Sequence, residues 1–310
     1  MATRRFELTT LGTGAALPAR GRFPTAQLLN VHEALYLVDC GEGTQERLRV
    51  AGVNFMRIGH IFISHLHGDH YLGLMGLLSS MHLLGRKNAL HVHGPAELKQ
   101  VIDLQMQVSG TYLRYPLHFQ ALPHKSGVLA MEDEHITVRL LALKHRVPCT
   151  GFVFRERSAP RHLRKDKLNL IPHFRRDAVK NGEDLRLENG TVIANVELTT
   201  DPSPQRSYAY CSDTAYEPAL VPHVRDVDLL YHEATFTESL VKRAQETMHS
   251  TAFQAATLAR DANVGHLLLG HFSSRYKSAD ELLHEAVAVF PRTSLSYEGG
   301  VFPVHERTTV

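Results

Sequence analysis

Four apolar runs in this chain each stop on a residue able to bind a metal. HIFIS (60–64) runs into His65, His67, Asp69 and His70; TVRLLALK ends on His145; SYAYCS ends on Asp213; HLLLG ends on His271. Short apolar runs bounded by turns read as buried strands. Here they alternate with helical stretches such as EGTQERLRVAG, AELKQVIDLQMQVSG, STAFQAATLARDANVG and SADELLHEAVAVF, and DHYLGLMGLLSSMHLLG reads as one buried helix. Alternation of this kind indicates an α/β architecture, in which ligands gather at the carboxyl edge of a sheet. If these strands share an edge, five histidines and two aspartates converge there.

A single His-x-His is usually a solvated turn. HLHGDH directly after an apolar strand, with matching single residues downstream, is not. The set contains no thiolate, which suits zinc, with Mn or Fe as competitors. Seven donors exceed one tetrahedral site. They fit two metals about 3.5–4 Å apart with a bridging carboxylate, an arrangement used on phosphate esters. The first two histidines then serve one metal, and the adjacent Asp-His pair turns to the other.

The bulk numbers exclude several classes. With 310 residues, 43% apolar and 21% charged, the chain is an ordinary globular one, large enough for one big domain or two smaller ones. No apolar run reaches membrane-span length, and MATRRFELTTLGTG enters a strand at once, so no membrane partner and a cytoplasmic location are expected. Three scattered cysteines make no disulfide framework. The net charge of +2 gives no argument for nucleic acid from the total, so a local patch is needed. Residues 156–190, rich in Arg and Lys and broken by Pro160 and Pro172, read as a basic arm inserted in a single domain spanning 1–310. The terminal HERTTV reads as frayed.

HLHGDH resembles the signature of the metallo-β-lactamase superfamily. LGTGAALPARGR, VDCGEGTQ, HEAT (232–235), HST (249–251) and HFSSRY extend the likeness over nearly the whole chain, and toward the short-form ribonuclease Z family. The resemblance implies a four-layer αββα sandwich. It implies two zinc ions per subunit, one held by His65, His67 and His145, the other by Asp69, His70 and His271, with Asp213 bridging. It also implies an endonuclease that trims the 3′ trailer of precursor tRNA after the discriminator base, working as a homodimer.

In that pattern Asp69 orients or deprotonates the attacking water, and Glu233 paired with His249 protonates the leaving oxygen. His232 is either a support for a ligand or a core histidine; His82, His91, His93, His118 and His124 carry no assigned role. PARGR matches a family loop that meets RNA near the cleavage point, with Arg20 and Arg22 as its cations and Phe23 where asparagine is usual. The arm matches one that grips tRNA, without its usual Gly-Pro. A metal-dependent phosphodiesterase or exonuclease on small or single-stranded substrates is the main alternative. A non-catalytic nucleic-acid-binding or metal-storage protein, and a lactamase- or thioesterase-like hydrolase, fit Asp69, Glu233 and His249 less well.

Overall fold

The protein is seen in a computed structural model that describes residues 4–306; the last four residues of HERTTV lie outside them. The chain divides into two compact units. The larger comprises the described parts of 1–155 and 206–310, and the smaller is Glu156–Gln205.

The larger unit holds two seven-stranded sheets. The first runs Val301–Pro303, β1 (Phe6–Gly12), β2 (Ala26–Val31), β3 (Ala34–Val38), β4 (Ile58–Phe62), β5 (Leu90–Gly94) and β6 (Leu117–Ala121). β1, β2 and β3 are antiparallel neighbours, whereas β3 to β6 are parallel. The second runs β7 (Leu129–Glu132), β8 (Ile136–Leu143), β9 (Cys149–Glu156), then Ser207–Cys211, Leu229–Glu233, His266–Gly270 and Thr293–Leu295, the last four parallel.

The central strands are buried on both faces, which is why they read as unbroken apolar runs. Leu28, Leu37, Ile61 and Val92 pack with Leu48 of α1 (Thr44–Val50), Leu77 and Leu78 beyond α2 (Gly68–Tyr71) on α3 (Leu74–Leu83), and Leu98 of α4 (Ala96–Ser109). Leu29, Val38 and Phe62 meet Phe152, Phe154, Tyr208 and Tyr210 between the sheets. Leu267 and Leu269 pack under the helices Ala252–Asp261 and Asp280–Val289. The layers are helix, sheet, sheet, helix, the sandwich the sequence motifs imply.

The stretch 69–85 is not one helix. It breaks between α2 and α3 because the Gly73 amide donates to Cys40 O at 2.9 Å instead of continuing its own ladder. Gly41 and Gly73 permit this approach: a Cβ on Gly73 would meet Gly41 O at 2.1 Å, and one on Gly41 would meet Asp69 O at 2.4 Å. The turn after β3 is thereby sewn to the segment that carries HLHGDH.

Four histidines line the first sheet on its inter-sheet face. His60 of β4, His91 of β5 and His118 of β6 are in register. Their rings stack at 4.8 and 4.9 Å. His93 lies flat against Phe62 at 4.5 Å, with its Nε2 3.1 Å from His60 Nδ1.

The smaller unit has its own core of Ile171, Val179, Leu185 and Leu198. Buried Asn195 donates from Nδ2 to Val179 O and Glu183 O. These residues explain why the unit runs past 190, where the sequence pattern ends the arm. Leu198 and Asn195 complete its interior.

Candidate metal centre

The strands Ser207–Cys211, Leu229–Glu233 and His266–Gly270 are paired with Cys211 opposite His232 and Glu233 opposite Gly270. They end nearly level, so Asp213, Glu233 and His271 emerge at one edge. β8 delivers His145 there, and β4, followed by a short loop, delivers His65 to His70. The backbone is left-handed at Asp39 (φ 56°), Met248 (φ 56°) and His271 (φ 58°). Non-glycine residues rarely adopt this conformation, and it collects at functional sites.

Hydrogen bonds assign which nitrogen each imidazole presents. Ser64 Oγ donates to Asp39 Oδ2 at 2.9 Å and so accepts from His65 Nδ1 at 3.0 Å. His70 Nδ1 donates to Asp39 Oδ2 at 2.8 Å. His145 Nδ1 donates to Met248 O at 2.8 Å. Thr235 Oγ1 donates to Glu233 Oε2 at 2.7 Å and accepts from His271 Nδ1 at 2.9 Å. All four rings therefore turn a bare Nε2 toward the centre. His67 instead brings Nδ1, 3.0 Å from His65 Nε2 and 3.2 Å from His145 Nε2.

The donors fall into two groups that share a carboxylate. His65, His67, His145 and Asp213 form one; Asp69, His70 and His271 form the other, and within each group the ligand atoms lie within 4.8 Å of one another. Asp213 Oδ2 faces the first, 3.7 Å from His65 Nε2 and 3.8 Å from His145 Nε2. Its Oδ1 faces the second, 3.3 Å from His70 Nε2 and 3.2 Å from His271 Nε2. Asp69 Oδ2 closes that group at 3.4 Å from both rings and accepts the Ala16 amide at 2.8 Å.

This donor set fits divalent cations. Bare ring nitrogens 3.0–3.2 Å apart repel unless something positive sits among them. A proton does not meet that need at His65, whose pKa is pushed well down by burial and by His70. At His70 burial also opposes the proton, but Asp213, Asp69 and Asp39 outweigh it and raise the pKa well above its usual value. Buried His70 Nε2 and Asp213 Oδ1 have no hydrogen-bond partner, which marks a place where a cation belongs. Asp69 and Asp213, though buried, are held well below the usual carboxylate range by the surrounding imidazoles, above all His70 and His271 respectively. Cys149 lies 3.4 Å from His65 Nδ1, but burial raises its thiol pKa well up, so it brings no thiolate.

Beside the two groups, buried Glu233 is fully occupied. Its Oε1 accepts from the Thr214 amide and from His249 Nδ1 at 2.8 Å, and its Oε2 from the Thr235 amide and hydroxyl. Burial lowers His249, but Glu233 more than compensates and lifts its pKa to about 9. Each residue of HST has a distinct task. His249 stacks on His271 at 5.4 Å; Ser250 Oγ donates to Thr214 O; Thr251 closes a capping box with Gln254 on the helix behind. His249 also has a ring nitrogen within 4.8 Å of donor atoms of Asp213 and His271. His232 stands apart: its Nδ1 bonds Glu233 O and its buried Nε2 meets no partner, so it touches no donor.

The donors open into a cleft of about 420 Å³. Three arginines line it to which the sequence motifs assign no role: Arg146, Arg243 and, within HFSSRY, Arg275. Arg275 lies over the Phe236 ring at 5.0 Å. Arg20 and Arg22 stand differently. Arg20 Nε donates to Ser274 O at 2.7 Å; Arg22, half-buried, donates to Tyr276 O at 3.1 Å over the Phe272 ring. Phe23 packs under Arg47 and against Gly43, where φ is 84° and a Cβ would meet the ring at 2.6 Å. Asp39, Thr235 and Thr214, which fix the donors and Glu233, were likewise missed. Asp39 follows an apolar strand just as Asp213 does, and the pattern alone does not separate a supporting carboxylate from a ligand.

A family model described as "Anti-Pycsar protein Apyc1" matches residues 6–157. A curated ribonuclease Z from Bacteroides fragilis is 45% identical over 296 residues, covering 95% of this chain and 97% of that protein. The short form of human tRNase Z superposes with a TM-score of 0.70 at 27% identity, covering 96% of this chain and 99% of that one. YhfI of Bacillus subtilis, a metallo-β-lactamase fold protein, gives 0.68 at 19% identity with the same coverage, a likeness of fold.

Proposed function

The chain belongs to the ribonuclease Z family, and from that membership we propose that it is a metal-dependent endoribonuclease that removes the 3′ trailer of precursor tRNA after the discriminator base. The observation that carries the reading is the Glu233–His249 pair beside two donor groups that share Asp213. Storage or passive binding of metal has no use for a buried carboxylate that holds an imidazole protonated.

His65, His67 and His145 would hold one zinc ion, Asp69, His70 and His271 a second, and Asp213 would join them. Bound divalent cations supply Lewis acidity, which acidifies water and offsets phosphoryl charge. The chain's own residues do the rest. Asp69, ionised at neutral pH, accepts a hydrogen bond from the attacking water and orients it toward phosphorus. A new bond from water oxygen to phosphorus forms as the bond to the 3′-oxygen breaks, and the proton the water gives up passes to solvent. His249 carries a proton to that leaving oxygen through Nε2, because Nδ1 is committed to Glu233; Glu233 holds the ring in that tautomer and keeps it charged. The products are a tRNA 3′-hydroxyl and a trailer 5′-phosphate. Among the described residues no helix is long and apolar enough to cross a membrane, and a cytoplasmic homodimer is part of the same reading.

The test is incubation with a 3′-extended precursor tRNA, with zinc and separately with chelator, and mapping of products to the nucleotide. A single metal-dependent cut at the discriminator base is expected. Intact tRNA beside hydrolysis of a simple phosphodiester would move the substrate elsewhere.

A further inference from the structure

Arg146 and Arg243 are far apart in sequence, yet both line the metal cleft. They sit on two segments held together at one point. Arg146 directly follows His145, whose Nδ1 donates to Met248 O at 2.8 Å. Met248 ends the helix Val241–Thr247 that carries Arg243, and His249 follows it. That bond holds together the two segments that carry the exposed Arg146 and Arg243 and the imidazoles of His145 and His249, whose rings are 5.1 Å apart.

Both cations are available. Arg146 makes no hydrogen bond or ion pair with another described residue. Among the described residues the Arg243 side chain has only an exposed pair with Glu246 at 3.1 Å, and such pairs are worth little. Arg22 differs, since it is half-buried and bonded into the 273–276 loop. An unpaired guanidinium on a cleft wall is suited to bidentate binding of phosphate.

We propose that Arg146 and Arg243 form a clamp for the RNA backbone on the tRNA side of the scissile bond, while Arg22 acts as a staple between the loop 13–24 and the loop 273–276. The side follows from chemistry. His249 protonates the 3′-oxygen of the tRNA portion, so the phosphates adjoining that oxygen pass the segments from which His249 and its neighbour His145 project. The inference rests on the proposed endonuclease activity.

The experiment uses the metal-loaded full chain and compares wild type, Arg146→Ala, Arg243→Ala, the double variant and Arg146→Lys on 3′-extended precursor tRNA across a salt series. Each alanine variant is expected to raise KM roughly tenfold, the size of one charge-assisted hydrogen bond, with a smaller change in kcat. Each should also lower the slope of log(kcat/KM) against log salt by about one, the mark of a lost phosphate contact. Arg146→Lys, which keeps the charge, should retain the slope. Unchanged KM and slope in the double variant would overturn the clamp. So would loss of metal content or of melting temperature in step with the rate, because the arginines would then be structural. If wild type itself leaves the precursor intact, the proposed activity fails first, and that result is distinct from a wild type that cuts beside unaffected variants.

Discussion

Two clusters of histidine in this molecule are built on opposite rules. At the sheet edge, imidazoles converge: bare nitrogens meet 3.0–3.2 Å apart, and Asp213, Asp69 and Asp39 stand among them. On β4 to β6, His60, His91 and His118 stack face to face at 4.8–4.9 Å, and His93 lies on Phe62. In the ladder one nitrogen pair meets, His60 Nδ1 and His93 Nε2 at 3.1 Å, with no carboxylate joining it in any of the donor groups found among the described residues. Carboxylates make the difference. At His249 the Glu233 carboxylate outweighs burial and positive charge is held, whereas burial keeps the pKa of His65, His67 and His145 below the ordinary value, as bare donors. Where carboxylates are few, burial drives the charge out: His60 falls to about 4 and His93 to about 3, with burial the main cause and neighbouring histidines adding to it.

The comparison breaks most sharply at Asp213. Asp213→Ala removes the carboxylate both groups share. Partners of ligands already cost roughly 10–100-fold in metal affinity, so loss of this one should exceed about 100-fold and abolish cleavage, read by metal analysis beside the precursor assay. His249 comes next, carboxylate-paired yet proton-bearing. His249→Ala should lower the rate by roughly 10²–10⁴ with metal retained, the usual scale of general acid catalysis; loss of metal would make it a ligand instead. The wild-type rate should also fall as pH rises past the His249 pKa, about 9 before nearby cations lower it.

Asp39→Asn keeps the shape but withdraws the charge behind His70 and Ser64. Metal affinity should fall roughly 10–100-fold, measured by competition with a chromophoric chelator, with little change in the rate once loaded.

The ladder gives the smallest effect, and on stability alone. His60 and His93 have pKa values below that of a free histidine, mainly through burial, so the folded state resists protons the unfolded chain takes up. Stability is full above the unfolded pKa near 6.5 and is lost as pH falls toward 4 and 3. His93→Phe, which keeps the stack on Phe62, should flatten that loss by on the order of 1–2 kcal/mol between pH 7 and pH 5, seen in urea melts at the two pH values, with metal content unchanged.

Much of this was legible in the chain. The donors could be read because buried strands are uniformly apolar, so a histidine or aspartate at the end of one stands out. The supports could not. Asp39 has the same signature as Asp213, and only the His70 bond tells them apart. Thr235 acts through a hydroxyl shared between Glu233 and His271, which no spacing encodes. The break at Gly73 depends on Cys40 O, a partner distant in sequence. β6 and β7 escape notice because they are short and partly exposed. Phe23, where the family pattern has asparagine, is explained by packing on Arg47 and Gly43, which belong to another segment.

The donor groups draw on both sheets, and this sets a schedule. Four of the seven donors are present once residue 70 has been made, yet Asp213 comes only with the second sheet and His271 later still. Synthesis proceeds from the N-terminus, and pairing across such separations is slow. A growing chain thus carries HLHGDH out of the ribosome, among RNA, long before it owns a complete centre. The cutting edge is incomplete until residue 271 has been made.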